Sequence, residues 1–214
     1  NENFTLPGAD PAAIVADYES RARRAETPCM DGSIVWRAWG SGPPVILFHG
    51  AQGSWSHWIR NINALAATRT VWAVDLPGTG DSAMPPDGSM ETICSVLAEG
   101  LRDIVGHELP VDLVGFSFGG VVAAYLAGYH PEIARRVILV DTGGLDTPLG
   151  KVELTRVRGL EDEARDAAHR HNLLQLMIRH PENIDPLVLY LQELNGSKAR
   201  FNPVNLVLPD KLLV

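Results

Sequence analysis

Four short, mostly apolar runs, at 45–48, 70–74, 111–114 and 137–140, punctuate the chain, and stretches with apolar residues at helical spacing separate them. Strands that read apolar on both faces are covered on both faces, so this alternation predicts an α/β, doubly wound and mostly parallel sheet flanked by helices. The helical faces are marked by Trp55, Trp58, Ile59, Ile62 and Leu65, and again by Ile93, Val96, Leu97, Leu101 and Ile104. Upstream, residues 33–39 alternate instead, around Ile34, Trp36 and Ala38. The turn pair Asp31-Gly32 would fold them back on 26–30 as an N-terminal antiparallel hairpin at a sheet edge. The first 27 residues read as a polar leader without an apolar signal core.

After Ser117, small residues fall in two adjacent helical rows, Gly119, Ala123 and Ala127 beside Gly120, Ala124 and Gly128, which predicts a helix lying close on the sheet. From about Asp146 the alternation stops. Two helical segments follow, one through Leu160, Ala164 and Ala167 to Ile178, the other opening at Asp185-Pro186, a cap followed by proline in the first turn. The second carries Ile184, Leu187, Val188, Leu191 and Leu194 on one face. The expected organisation is a core over residues 1–145, a helical lid inserted over 146–206, and a return to the core over 207–214. Asn202-Pro203 and Leu208-Pro209-Asp210 would make that return, and the chain ends on Leu212-Leu213-Val214.

Composition narrows the function. With 214 residues, 45% hydrophobic and 21% charged, the chain is long enough for one substantial core. Eighteen basic against 26 acidic side chains give a net charge of −8 with no run of either sign, so nucleic acid and anionic membrane are poor partners. The most apolar stretch, 111–129, carries Asp112 and four glycines and is too polar to span a membrane. Cys29 and Cys94 are far apart and lack metal spacing, as expected of reduced thiols in a cytoplasmic protein without metal or cofactor. Without a signal peptide the sequons at Asn3 and Asn195 carry no weight. The expected partner is a small-molecule substrate, and a homo-oligomer is compatible with the composition.

The strongest chemical signal is Gly115-Phe116-Ser117-Phe118-Gly119-Gly120, placed where the strand 111–114 turns into the small-residue helix. This is the G-x-S-x-G nucleophile elbow in its required strand-turn-helix context. Glycines two before and two after the serine are needed because a Cβ there would clash with backbone. Ser117 is the expected catalytic nucleophile, and the N–H of Phe118 heads the helix. The second signal is Phe48-His49-Gly50-Ala51-Gln52-Gly53, after the strand 45–48. Acyl transfer needs two N–H donors aimed at the developing oxyanion. Ala51 is the expected second donor, with Gln52 the alternative. His49, Gly50, Gln52 and Trp55 are candidate pocket residues, although His49 also fits a packed role. The third signal, Asp75-Leu76-Pro77-Gly78-Thr79-Gly80-Asp81-Ser82, matches neither a phosphate loop nor a dinucleotide fingerprint and reads as a structural turn.

In this order and spacing the three motifs resemble the α/β-hydrolase superfamily, in its lidded, serine-nucleophile branch, which includes meta-cleavage product hydrolases and esterases. The resemblance covers residues 45–141 closely and the lid only in position and helicity. It implies the family fold, Ser117 as nucleophile and the Ala51 and Phe118 amides as oxyanion hole. It also implies hydrolysis of an ester, thioester, amide or activated carbon–carbon bond without metal or cofactor. Relatives that hydrolyse halides or epoxides carry aspartate at the elbow, where this chain has serine.

The family's chain order continues with an acid and then a histidine after two further strands, and nothing after the lid supplies either. The expectation is a chain lacking its last two strand-helix units, with residues 137–140 left as an open apolar edge. His107 and His130 should lie at the far ends of their helices, and His57 should pack or face solvent. His169, His171 and His180 read as solvated positions of the lid. Asp141, at the end of the strand 137–140, is the candidate acid. The alternative outside enzymology is a non-catalytic ligand binder on the same fold.

Overall fold

The computed structural model describes residues 9–145, 152–203 and 206. The return over 207–214, the sequon at Asn3 and the start of the expected lid at 146–151 lie outside the described residues. Six strands form one mixed sheet: β1 (Arg23–Cys29), β2 (Gly32–Trp39), β3 (Pro44–Phe48), β4 (Thr70–Val74), β5 (Val111–Phe116) and β6 (Ala134–Val140), in the order β1-β2-β4-β3-β5-β6. The hairpin β1–β2 is antiparallel and β2 pairs antiparallel with β4, while β3, β4, β5 and β6 run parallel. The hairpin turns one residue earlier than expected, at Met30-Asp31, with Met30 at φ 52°.

Helices cover both faces. On one side α3 (Met90–Val105) and α4 (Phe118–Tyr129) bury Ile93, Leu97, Leu101, Val122 and Leu126 against Trp36, Ile46, Phe48 and Leu113. On the other, α2 (Ile59–Ala66) and the 3₁₀ turn Trp55–Trp58 pack on Leu47, Val71 and Ala73. The helices α5 (Asp162–Leu176) and α6 (Pro186–Lys198) follow β6, and Leu187 and Leu191 of α6 join this second core. Asp185 caps α6 by accepting from the Val188 N–H at 3.0 Å.

Two expectations are corrected. The polar leader contains a helix, α1 (Pro11–Arg21), capped by Asp10 with proline in its first turn, and its Tyr18 packs beside Trp39 and Trp55. In β2 every residue from Ile34 to Trp39 is buried, not every second one, because β1 and β4 flank the strand and both faces are covered. Arg37 tolerates this burial because Asp75 at 2.8 Å, Glu19 at 2.8 Å and Asp81 at 2.5 Å surround its guanidinium.

The same Asp75 explains the turn after β4. Its carboxylate accepts from the Trp55 N–H at 2.9 Å and the Asp81 N–H at 3.1 Å, and Ser82 Oγ donates to its carbonyl. The turn is a structural clamp joining β2, β4 and the 3₁₀ turn. At the opposite edge, Val137 to Val140 of β6 are 37–48% exposed. The close approach of α4 is confined to its first turns: Gly119, Gly120 and Ala123 are buried, whereas Ala124 and Ala127 are half-buried and Gly128 is exposed. Among the described residues no helix is long and apolar enough to cross a membrane.

Candidate active site

Parallel register brings three strand ends together. Phe48 pairs with Gly115 and Phe116 with Val140, so the segments that follow β3, β5 and β6 emerge side by side at one edge of the sheet. Ser117 is the single residue between β5 and α4. Its backbone sits at φ 52°, ψ −117°, a conformation that costs a non-glycine residue about 1–3 kcal/mol and survives only where its surroundings impose it. The surroundings are visible. The Ser117 N–H donates to Val140 O at 2.9 Å, and the Ser117 carbonyl accepts from Gly120 N at 3.0 Å.

The two glycines of the elbow are required by space. A Cβ on Gly115 would lie 2.2 Å from Gly119 O, and one on Gly119 would lie 2.2 Å from Phe48 O. The strand, the helix start and the end of β3 are therefore in backbone contact. Phe118 opens α4, and the first N–H groups of a helix have no partner within it. Among the described residues neither the Phe118 nor the Ala51 N–H is hydrogen-bonded. Ala51 lies exposed on the loop after β3, next to Gln52 at φ 55°. That loop rests against the elbow, since a Cβ on Gly50 would sit 3.0 Å from the Phe116 ring and 3.4 Å from Ser117 Cβ.

His49 anchors the loop from beneath. It is fully buried, its Nδ1–H donates to Gly50 O at 2.7 Å, and its Nε2 accepts from the Leu76 N–H at 2.9 Å. Burial, against the backbone bond to Gly50, pushes its pKa down to about 4, so the ring is neutral. Its role is the packed one.

A cleft of about 630 Å³ lies between the 3₁₀ turn, the ends of β5 and β6, and helices α5 and α6. Phe116 and Val140 line it, which places it next to Ser117 and Asp141 in sequence. Of the pocket residues expected from sequence, none of His49, Gly50, Gln52 and Trp55 lines this cleft. Trp55 is core, in ring contact with Trp39 and Tyr18. The wall is instead built by its neighbours His57 and Trp58 and by Asn195 of α6. His57 fits because Gly53 has no side chain: a Cβ there would meet the imidazole at 2.3 Å. Burial, and secondarily His49, holds the His57 pKa down at about 3, so this ring is neutral too. Helical spacing puts Trp58 on a packed face, but nothing along the chain joins it to Asn195, which lines the same cleft from 137 positions away.

The remaining histidines are scattered. His130 caps the far end of α4, and His107 lies in the turn after α3. His169 departs from the expected solvated position: it is buried, and its Nε2 meets Glu193 of α6 at 2.8 Å, joining α5 to α6. Among the described residues no side chain is hydrogen-bonded to the Ser117 hydroxyl, and no group of three or more His, Cys, Asp or Glu is arranged to hold a metal. Asp141 follows β6 with φ 48° and is exposed beside the elbow.

A family model described as alpha/beta hydrolase fold matches residues 43–188. The chain is 38% identical over 104 residues to a soluble epoxide hydrolase of Corynebacterium sp. (strain C12), covering 48% of this chain and 35% of that protein. It is 37% identical over 114 residues to 2-hydroxymuconate semialdehyde hydrolase of Pseudomonas sp. (strain CF600), covering 51% and 40%. Those matches span well under half of either relative's length. Among solved structures, a membrane phospholipase A described as a bacterial virulence factor superposes with TM-score 0.63 at 26% identity, over 93% of this chain and 70% of that one.

Proposed function

The chain belongs to the alpha/beta hydrolase fold family, and from that premise we propose that it is a serine hydrolase. Its substrate would be a small apolar ester, thioester, amide or activated carbon–carbon bond. The observation that carries the reading is Ser117 held at φ 52° between β5 and α4, beside the loop that presents Ala51. Strain of that kind, on a hydroxyl-bearing residue at a strand end, marks a functional site.

In this reading Ser117 Oγ attacks the substrate carbonyl carbon, and the carbonyl electron pair moves to oxygen. The Ala51 and Phe118 N–H groups hold that oxyanion in place, with the positive end of α4 behind it. Collapse expels the leaving group and leaves an acyl group on Ser117, which water then releases. The proton acceptor and its supporting acid are assigned to no described residue, and Asp141 is a candidate for the acid alone. Helices α5 and α6 act as the lid, and the cleft beneath them receives the acyl chain.

Serine at the elbow separates this chain from the epoxide hydrolases among its relatives. An alkoxide that opens an epoxide forms an ether, which water cannot cleave under the same conditions, whereas a carboxylate forms a hydrolysable ester. Acyl chemistry is therefore the reading that turns over. The test is labelling of the full-length protein with a fluorophosphonate, mapped by mass spectrometry. Modification at Ser117, lost in Ser117→Ala, supports the assignment, and labelling that survives the substitution overturns it.

A further inference from the structure

Charge is distributed unevenly around the cleft. Its apolar wall, with Phe116, Leu173 and Leu191, is buried or half-buried, whereas the two arginines that line it, Arg60 and Arg179, are exposed and stand at its mouth. No Asp or Glu lines the cleft. Arg60, in the first turn of α2, is already paired: one oxygen of Asp185 meets its guanidinium at 2.5 Å, while the other caps α6. Arg179 has no such partner. Among the described residues it makes no hydrogen bond or ion pair. Glu182, the acid nearest to it along the chain, lies 3.6 Å from His180 instead.

We infer that Arg179 is a specificity-determining residue that receives a carboxylate carried by the substrate away from its scissile carbonyl, so that the substrates are half-esters of apolar dicarboxylic acids. The inference rests on the proposed function in one respect, that the cleft is the acyl pocket. The methylenes of such a chain match the apolar wall, and the carboxylate meets the unpaired cation at the mouth. A planar guanidinium binds a carboxylate through two parallel N–H bonds. Because the mouth is open to solvent, the carboxylate keeps part of its hydration there, and the desolvation cost that burdens buried ion pairs is small. The long-range field works the other way. With a net charge of −8 the chain as a whole disfavours anions, so a preference for the charged substrate has to arise locally.

The segment that carries Arg179 is held in place. Residues 177–185 join α5 to α6, and the Arg60–Asp185 pair ties their end to α2. Arg170 of α5 donates to Ile184 O at 3.0 Å, which fixes the same end from the other side. Met177 and Ile178, immediately before Arg179, line the cleft with it. The segment is therefore part of the cleft rim, and the guanidinium is offered at its opening.

The experiment is equilibrium binding to the full-length Ser117→Ala protein, which in the proposed mechanism cannot turn substrate over. The probes are monomethyl esters of linear dicarboxylic acids, each compared with the methyl ester of the same length that ends in a primary carboxamide, an uncharged isostere. At low ionic strength at least one carboxylate probe is expected to bind about fivefold more tightly than its carboxamide, the upper end for an exposed ion pair. Arg179→Gln is expected to reduce that preference to within about twofold, and salt at about 0.5 M should do the same with Arg179 intact. Arg179→Lys, which keeps the charge and loses the fork, should fall between the two. Equal binding of carboxylate and carboxamide overturns the inference, as does a preference for the carboxamide. A carboxylate preference that survives Arg179→Gln or the added salt overturns it too. Failure of every probe to bind also overturns it, and fluorophosphonate labelling of the unsubstituted protein then shows separately whether the nucleophile assignment stands.

Discussion

The Cβ that Gly50 lacks would lie 3.4 Å from the Cβ of Ser117 and 3.0 Å from the Phe116 ring. The loop carrying Ala51 and the elbow carrying Phe118 are thus in van der Waals contact, and the distance between the two proposed oxyanion donors is set by that contact. Gly50→Ala must push the ring or the loop by a few tenths of an ångström. Because misplacement by about 1 Å can cost 10²-fold, the expected result is a kcat lowered about 10-fold with KM changed by less than about threefold. Steady-state kinetics on a short-chain ester checks this. An unchanged kcat would mean that the loop does not set the donor geometry.

Ala51→Pro removes one proposed donor without removing a side chain of any size. A rate loss of about 10²–10³ is expected, with circular dichroism unchanged. A folded variant at full rate would transfer the role to Gln52.

The conformation of Ser117 predicts a trade of stability against activity. Glycine adopts φ 52° freely, so Ser117→Gly relieves about 1–3 kcal/mol of strain and costs about 0.5–1 kcal/mol in backbone entropy. Net stabilisation of about 1 kcal/mol is expected in urea unfolding, with loss of labelling. Ser117→Ala keeps the strain and should show no such gain. Equal stability of the two variants would show that the elbow is unstrained.

Two buried neutral imidazoles predict an acid limit. Burial lowers the pKa of His49 to about 4 and of His57 to about 3, whereas an unfolded histidine titrates near about 6.5. Below about 6.5 the unfolded chain takes up protons that the folded chain refuses, so their contribution to stability is present above that pH. It is lost progressively as pH falls toward 4 and then 3. Urea midpoints measured from pH 7.5 to 4 should decline across this window, and His57→Gln should make the decline shallower. A parallel decline in the variant would assign the effect to other groups.

Several features could be read directly along the chain because they are local. The elbow is six consecutive residues, and glycine spacing states where backbone must touch backbone. The strands β3, β4 and β5 are apolar runs because both faces are covered, whereas β6, apolar in the same way, leaves Val137 to Val140 37–48% exposed. The cap of α6 was legible from Asp185-Pro186, and the same signature at Asp10-Pro11 announced α1, but only one apolar row of that helix, around Tyr18, meets the core. Its signal was too weak to stand out from a polar leader.

By itself the sequence determined the order of strands and helices from β1 onward, the serine between β5 and α4, and the family to which that order belongs, since each depends on near neighbours and on periodicity. Only the tertiary structure decided that Arg37 is buried, that His169 pairs with Glu193, and that His57, Trp58 and Asn195 share a cleft wall. The physical reason is range. Ser54 and Asn195 are 141 positions apart, and a hydrogen bond between them follows from how α6 packs on the second core, which no spacing along the chain encodes.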